Sequence, residues 1–306
     1  MFMNELRRGK IHAKRLIVLA PKRQNRPSSK VWKGKKCFFC PGNEKLTPRE
    51  ILRVEENGKW LVRCFPNKFP AFSTRFPKAY GVHWVIVESP NHHQRFYELS
   101  MHHLVKVIET YIALIKKALK IKGIKCVLLF KNEGKAAGMS STHLHSQLIA
   151  TRVMFPHLEQ ELEESKQYYK KHKRCIYCDY IKEERKSKRF VYENDHFIAI
   201  TPYASMFPYS VMILPTTHIA DFTKMDEDQI FDFAEILKKV LTAIHSLGYG
   251  YNFYLHMSKK PYHHFHLEIR PRPNIYAGFE LGSGIVINTV SPEQAAKYLR
   301  RKILQS

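Results

Sequence analysis

The sequence predicts an α+β protein built from two copies of one unit, each an antiparallel sheet with one main helix. Three observations predict this. A Cys-x-x-Cys pair opens each half, at Cys37/Cys40 and at Cys175/Cys178. A long amphipathic stretch occupies the same place in each half. Each half then ends on two extended segments, the second of which begins His-x-His, at His143/His145 and at His264/His266. A repeat of this length means duplicated domains and not a solenoid. The join falls in the charged, helix-like stretch 159–174, which divides the chain into domains 1–158 and 159–306.

In each half an extended segment runs into a proline and then a histidine. The first is Val85-Ile-Val-Glu-Ser-Pro90-Asn-His92 and the second is Val211-Met-Ile-Leu-Pro215-Thr-Thr-His218. The helices follow. Leu104, Val107, Ile108, Tyr111, Leu114, Ile115 and Leu119 form one buried stripe. Ile230, Phe233, Ala234, Leu237, Val240, Leu241 and Ile244 form the other, both with i, i+3, i+4 spacing. Ser100 is the expected N-cap of the first, and Asp226 with Gln229 makes a capping box for the second. The closing strands are expected at 125–131 with 143–151, and at 250–257 with 264–270.

Composition narrows the function classes. The 306 residues suffice for one large or two ordinary cores. Apolar runs are too short to span a bilayer, and Met1 to Arg8 lacks the apolar stretch of a signal peptide, so a cytoplasmic protein is expected. The net charge of +24 attracts polyanions or phosphorylated small molecules. Its densest runs, 30–36, 170–174 and 186–189, read as solvated loops and linkers. No nucleic-acid motif accompanies them, which leaves a zinc-stabilised nucleic-acid-binding protein as a remote alternative.

Of the six cysteines, Cys64 and Cys126 sit in apolar segments and are expected to be buried thiols. The other four favour metal or redox chemistry over structural disulfides in a cytosolic chain. Tetrahedral zinc takes four N/S ligands, often a Cys-x-x-Cys knuckle plus histidines. The first half offers Cys37, Cys40, His92 and His143; the second offers Cys175, Cys178, His218 and His264. Two zinc ions per chain are therefore expected. His93 is a rival to His92, while His83, His102 and His103 read as ordinary surface residues.

His143-Leu-His145-Ser-Gln147 carries the chemistry. Residues i, i+2 and i+4 of a strand share a face. A metal at His143 pins the strand, His145 is left to face a substrate, and Gln147 supplies an amide donor for phosphoryl oxygens. His266 is the next candidate nucleophile, disfavoured because Glu268 stands where the glutamine would be.

These residues resemble the galactose-1-phosphate uridylyltransferase family of the histidine-triad superfamily, over nearly the whole length. The arm Arg23-Gln-Asn-Arg26-Pro, the knuckle Cys37-Phe-Phe-Cys40-Pro-Gly-Asn-Glu44, the segment Arg63 to Pro70, the turn Ser89-Pro-Asn-His92, the stretch from Phe130 through Gln147 and Glu293-Gln-Ala-Ala296 all fit. The resemblance implies two histidine-triad-like domains. It implies ping-pong transfer of UMP between a UDP-sugar and a hexose 1-phosphate, with His145 as nucleophile and Gln147 as its donor. It implies substrate contacts from Arg23, Arg26, Asn67, Asn132 and Ser140, and a homodimer in which the segment around Glu280 completes the partner's site. Leu144 replaces the usual proline and Lys68 an aspartate near the ribose. Asn274 and Phe279 replace a lysine and a tyrosine in the hexose-binding segment, and the loop 281–288 lacks the family's glutamine. The stretch 281–288 and the second quartet look more like ADP-sugar phosphorylases, which use phosphate as acceptor, so base and acceptor stay open. An iron-type second site from Glu183 or Glu184, His256, His264 and His266 is the alternative to the second zinc.

Overall fold

A computed structural model describes residues 3–10, 16–25 and 36–305. Arg26 lies outside the described residues. The chain divides into two compact units. The first holds residues up to Arg95, Lys106–Phe130 and Ser140–Glu164; the second holds Phe96–Val105, Lys131–Met139 and everything from Ser165 on.

In the first unit, strands β1 (Glu5–Arg8) and β2 (Leu16–Leu19) form a small antiparallel ribbon. Strands β3 (Leu52–Glu56), β4 (Lys59–Pro66), β5 (Gly81–Val87), the first part of β6 (Cys126–Glu133), whose residues from Lys131 on belong to the second unit, and β7 (His145–Thr151) lie in the order β3-β4-β5-β7-β6. Asn57 and Gly58 make the β3–β4 turn, both at positive φ, the conformation a two-residue type I′ hairpin needs. β5 is buried along its whole length, as a central strand should be. It begins on Gly81, where a Cβ would fall 2.2 Å from the Ala150 carbonyl oxygen, so only glycine lets β5 pair fully with β7. Helix α1 (Met101–Leu119) starts at Ser100, whose Oγ accepts from the His103 amide. Its expected stripe is buried, with Leu119 half-buried at the end and Ala118 inside.

Helix α2 (Pro156–His172) carries the charged stretch read as the join. The second unit has α3 (Ile176–Glu184), β8 (Phe190–Glu193), β9 (Phe197–Ile200), β10 (Val211–Pro215), α4 (Glu227–His245), β11 (Tyr251–His256), β12 (His266–Pro271), α5 (Gly278–Ser283) and α6 (Pro292–Ile303). Its strands run in the order β11-β12-β10-β9-β8, all antiparallel where paired. The capping box of Asp226 and Gln229 opens α4, and every residue of its expected stripe is buried. The fold is α+β with antiparallel sheets. Cys64 and Cys126 are buried, and burial raises both thiols, Cys126 to about 11.

Two expectations need correction. His143 and His264 precede β7 and β12 instead of lying in them. Each ring has its Nδ1 3.6 Å from a cysteine sulfur of its quartet. His83 is not a surface residue. It is 3% exposed at the middle of β5, flanked by strands on both sides. His102 is exposed and His103 half-buried on α1.

Candidate nucleotide-transfer site

Each cysteine pair meets two histidines within its own unit. The ligand atoms of Cys37, Cys40, His92 and His143 lie within 4.8 Å of one another, as do those of Cys175, Cys178, His218 and His264. With Zn–S about 2.3 Å and Zn–N about 2.0–2.1 Å, a tetrahedral S···N edge is about 3.6 Å. The observed edges match: Cys37 Sγ to His143 Nδ1 is 3.6 Å, Cys40 Sγ to His143 Nδ1 3.6 Å and Cys40 Sγ to His92 Nδ1 3.4 Å. Cys178 Sγ lies 3.5 Å from His218 Nδ1 and 3.6 Å from His264 Nδ1.

The far ring nitrogens agree with this. His143 Nε2 donates to the Ser89 carbonyl at 2.7 Å and His264 Nε2 to the Pro215 carbonyl at 2.9 Å. Each bond puts the proton on Nε2 and the lone pair on Nδ1, toward the thiols. Burial pushes His143 down to about 4, so it stays neutral, as a ligand must. Burial, reinforced by Cys37, pushes the Cys40 thiol up to about 11 when no cation is bound. In the second pair the Cys178 thiol holds Cys175 far below the ordinary thiol range, while the same contact raises Cys178. Both quartets fit a thiolate-binding ion such as zinc. Glu183 and Glu184 join neither group. Glu184 is fully buried against Arg189, which donates to it from Nε and from Nη2 at 2.8 Å, and it also accepts from Ser187. That ion pair removes it from the iron-type alternative.

β7 presents His145 and Gln147 on one face. The register pairs Val87 with His145, Val85 with Gln147 and His83 with Ile149. Alternation therefore puts Phe65, Asn67, His83, Val85, His145 and Gln147 on one side. A cavity opens there, lined by Phe39, Thr47, Phe65, Asn67, Ser140, His145 and Gln147 among others. His145 Nδ1 donates to the His143 carbonyl at 2.8 Å, so the lone pair resides on Nε2. Phe39, between the two knuckle cysteines, packs against His145 with ring centroids 5.5 Å apart. On the opposite face of β7, Ser146 and Tyr111 of α1 both donate to the buried Glu88 carboxylate and stand 2.9 Å from each other. This network anchors the strand from behind.

The remaining predicted residues are placed as follows. Asn67 accepts from the Phe69 amide at 2.8 Å and lines the cavity, as does Ser140. Arg23 Nη1 donates to the Phe69 carbonyl at 2.6 Å, which ties the N-terminal arm to the loop after β4. Asn132 lies in the second unit, where its Oδ1 accepts from Asn252 at 2.8 Å. Glu280 caps α5 through the Ala277 amide, beside a second cavity lined by Phe207, Tyr276 and Thr289. Sequence reasoning missed His83, Phe39 and the Glu88–Tyr111–Ser146 network. Only the alternation of 83, 85 and 87 could have signalled His83.

The site now permits comparison with known proteins. Residues 19–154 match the N-terminal domain of galactose-1-phosphate uridyl transferase, and residues 161–301 match its C-terminal domain. The chain belongs to the galactose-1-phosphate uridyl transferase family. It is 30% identical to an ADP-glucose phosphorylase of Arabidopsis thaliana, over 97% of this chain and 92% of that one. It is 27% identical to a galactose-1-phosphate uridylyltransferase of Thermotoga maritima, over 97% and 98%. A solved uridylyltransferase superposes with a TM-score of 0.86 at 28% identity, covering 98% and 99% of the two chains. The Arabidopsis phosphorylase with bound ADP-glucose superposes with a TM-score of 0.81, covering 98% of each. Among the described residues no helix is long and apolar enough to cross a membrane.

Proposed function

We propose that the protein moves UMP between a UDP-sugar and a hexose 1-phosphate, as a galactose-1-phosphate uridylyltransferase, through a nucleotide held covalently on His145. The bond from His145 Nδ1 to the His143 carbonyl carries this reading. It leaves the Nε2 lone pair for phosphorus and holds the proton where positive charge develops. In the first step His145 Nε2 attacks the α-phosphorus. The N–P bond forms, the bond from phosphorus to the bridging oxygen breaks, and that oxygen leaves with its electron pair as the sugar 1-phosphate. A leaving group whose last pKa is about 6 needs no general acid. Gln147 donates to a non-bridging oxygen as charge builds there. A second sugar 1-phosphate then takes the nucleotide by the reverse step. Asn67, with the apolar cavity wall, holds the nucleoside; Ser140 and Arg23 contact phosphates.

In this reading each quartet holds one zinc ion, two per chain, and the zinc at Cys37/Cys40/His92/His143 supplies rigidity to the strand carrying His145. The chain is a tandem of histidine-triad-like domains, 1–158 and 159–306, working in the cytoplasm. The protein is a homodimer. This follows from the family resemblance, with the segment around Glu280 as the donor; Ile275, Phe279, Leu281, Ile285 and Ile287 there are each exposed, from 53% to 86%, and a second copy covers them. A monomer by light scattering with full activity would refute this.

A second reading has its own support. The Cys175/Cys178/His218/His264 quartet and the Arabidopsis relative favour transfer of AMP from an ADP-sugar to inorganic phosphate. One experiment separates the two. UDP-glucose and ADP-glucose, each labelled in the α-phosphate, are offered in turn, and acid-labile label on the protein is counted. Release by galactose 1-phosphate or by phosphate then identifies the acceptor. Label from UDP-glucose released by galactose 1-phosphate supports the first reading; label from ADP-glucose released by phosphate replaces it.

A further inference from the structure

We propose that His83 is a positioning residue that sets which end of the Gln147 amide faces the reacting phosphate. The inference rests on the reading above, in which Gln147 donates to a phosphoryl oxygen. Gln147 needs its NH2 end toward the substrate. An amide is nearly symmetric in shape, so packing alone does not choose between its two orientations.

The choice is made by a chain of hydrogen bonds that starts at a group with no freedom. The Ala71 backbone amide donates to His83 Nδ1 at 3.1 Å. A backbone N–H cannot reverse its role, so Nδ1 carries no proton. The proton of the neutral ring then lies on Nε2. His83 Nε2 stands 2.9 Å from Gln147 Oε1, so it donates and Gln147 accepts with its oxygen. The Nε2 amide group of Gln147 is thereby turned away from His83. The opposite orientation would require Gln147 to donate to His83 Nε2, which forces the proton onto Nδ1 and sets it against the Ala71 amide. Asn67 Nδ2 also approaches His83 Nε2, at 3.3 Å. The Phe69 amide holds Asn67 Oδ1, so Asn67 presents a donor to His83 Nε2; at 3.3 Å that contact is longer than the 2.9 Å bond to Gln147, and a protonated Nε2 does not accept it.

The strand register makes this reach possible. His83 and Gln147 are diagonal neighbours on one face of the β5–β7 pair, since Val85 is the residue directly opposite Gln147. His83 also accepts the Asn67 backbone amide on its own carbonyl at 2.8 Å. One residue therefore holds both the loop bearing Asn67 and the orientation of Gln147.

The test is a double-mutant cycle on single-turnover formation of the nucleotidyl adduct, in the full-length metal-loaded protein. His83→Asn keeps an acceptor near the Nδ1 position and removes the donor at Nε2. It is expected to slow adduct formation by about 10–100-fold, the usual cost of losing a partner that orients a reacting group. Sugar-nucleotide binding, metal content and melting temperature stay near wild type. His83→Gln, whose amide nitrogen falls near Nε2, restores the rate. In a Gln147→Ala background His83→Asn costs little more, because both changes remove the same donor. Multiplying effects, a loss confined to binding, or His83→Gln as slow as His83→Asn would each overturn the proposal. The wild-type protein offers a check without any variant. Nitrogen-15 spectra of His83 should show a protonated Nε2 and a bare Nδ1; the reverse tautomer overturns the inference. Failure of the underlying reading looks different, since His145→Ala would then still form the adduct.

Discussion

The two units contain the same arrangement of side chains, and in the proposed reading only the first acts on a phosphate. Each has a knuckle, two further histidines, and a His-x-His whose second ring bonds the carbonyl of the first, at 2.8 Å for His145 and 3.2 Å for His266. Each has an aromatic residue between the knuckle cysteines. Phe39 packs at a tilt on His145, whereas Tyr177 stacks on His266 with centroids 5.1 Å apart and planes 29° apart. The decisive difference lies two residues on. Gln147 lines a cavity, with its Oε1 held by His83 at 2.9 Å. Glu268 accepts from Tyr254 at 2.7 Å and from Arg270 at 2.7 Å, and stands 3.9 Å from His266. Burial opposes its ionisation, yet Arg270, His266 and His256 hold its carboxyl below the usual range. A carboxylate there repels a phosphate. In the proposed reading the metal quartet and the strand are scaffold, and the side chain at 147 or 268 decides which copy is suited to the chemistry.

The strongest way to break this comparison is to remove each second histidine in turn. His145→Ala should abolish the covalent adduct while both metals and the fold persist, and His266→Ala should leave the adduct. Labelling with a sugar nucleotide reads the result, and an adduct that survives only in His145→Ala moves the nucleophile to the second unit. Next in size is the donor. Gln147→Ala should slow adduct formation by roughly 10²–10³-fold, the cost of a lost transition-state donor. Gln147→Glu, which gives the first unit the side chain of the second, should be slower still.

Metal removal sharpens the contrast further. Elemental analysis should find two zinc ions per chain, and Cys37→Ser and Cys175→Ser should each leave one. Cys37→Ser should also slow adduct formation by about 10–100-fold, since the first quartet orients the strand that carries His145. Cys175→Ser should lower melting temperature with a smaller effect on the adduct. The smallest expected effect is a pH dependence. The Glu268 carboxyl is depressed below 4.5 in the folded protein. Its stabilisation is therefore present above its unfolded value and is lost as pH falls through the folded one. The difference in melting temperature between wild type and Glu268→Gln should be largest near neutrality and should shrink below about pH 4.5. A difference that grows on acidification would contradict the depressed value.

Much of the fold was legible from local pattern. The stripes of α1 and α4 and the Asp226–Gln229 box follow from spacing along one segment, and spacing survives in a linear chain. The two quartets were legible because thiols and imidazoles of this kind occur together for few other reasons, and because the set is written twice. The Asn57-Gly58 hairpin was equally visible and went unread.

Other features depend on which strands become neighbours. His83 and Gln147 are 64 positions apart, and only the β5–β7 register brings their side chains together. The family resemblance offered Glu184 as an alternative metal ligand, and Arg189 at 2.8 Å shows it instead as half of an ion pair. Arg23 meets a backbone carbonyl 46 residues away. Periodicity determines which face of an element is buried. It says nothing about which polar group stands opposite across a strand pair. That choice is made by register, and register is a property of the assembled sheet.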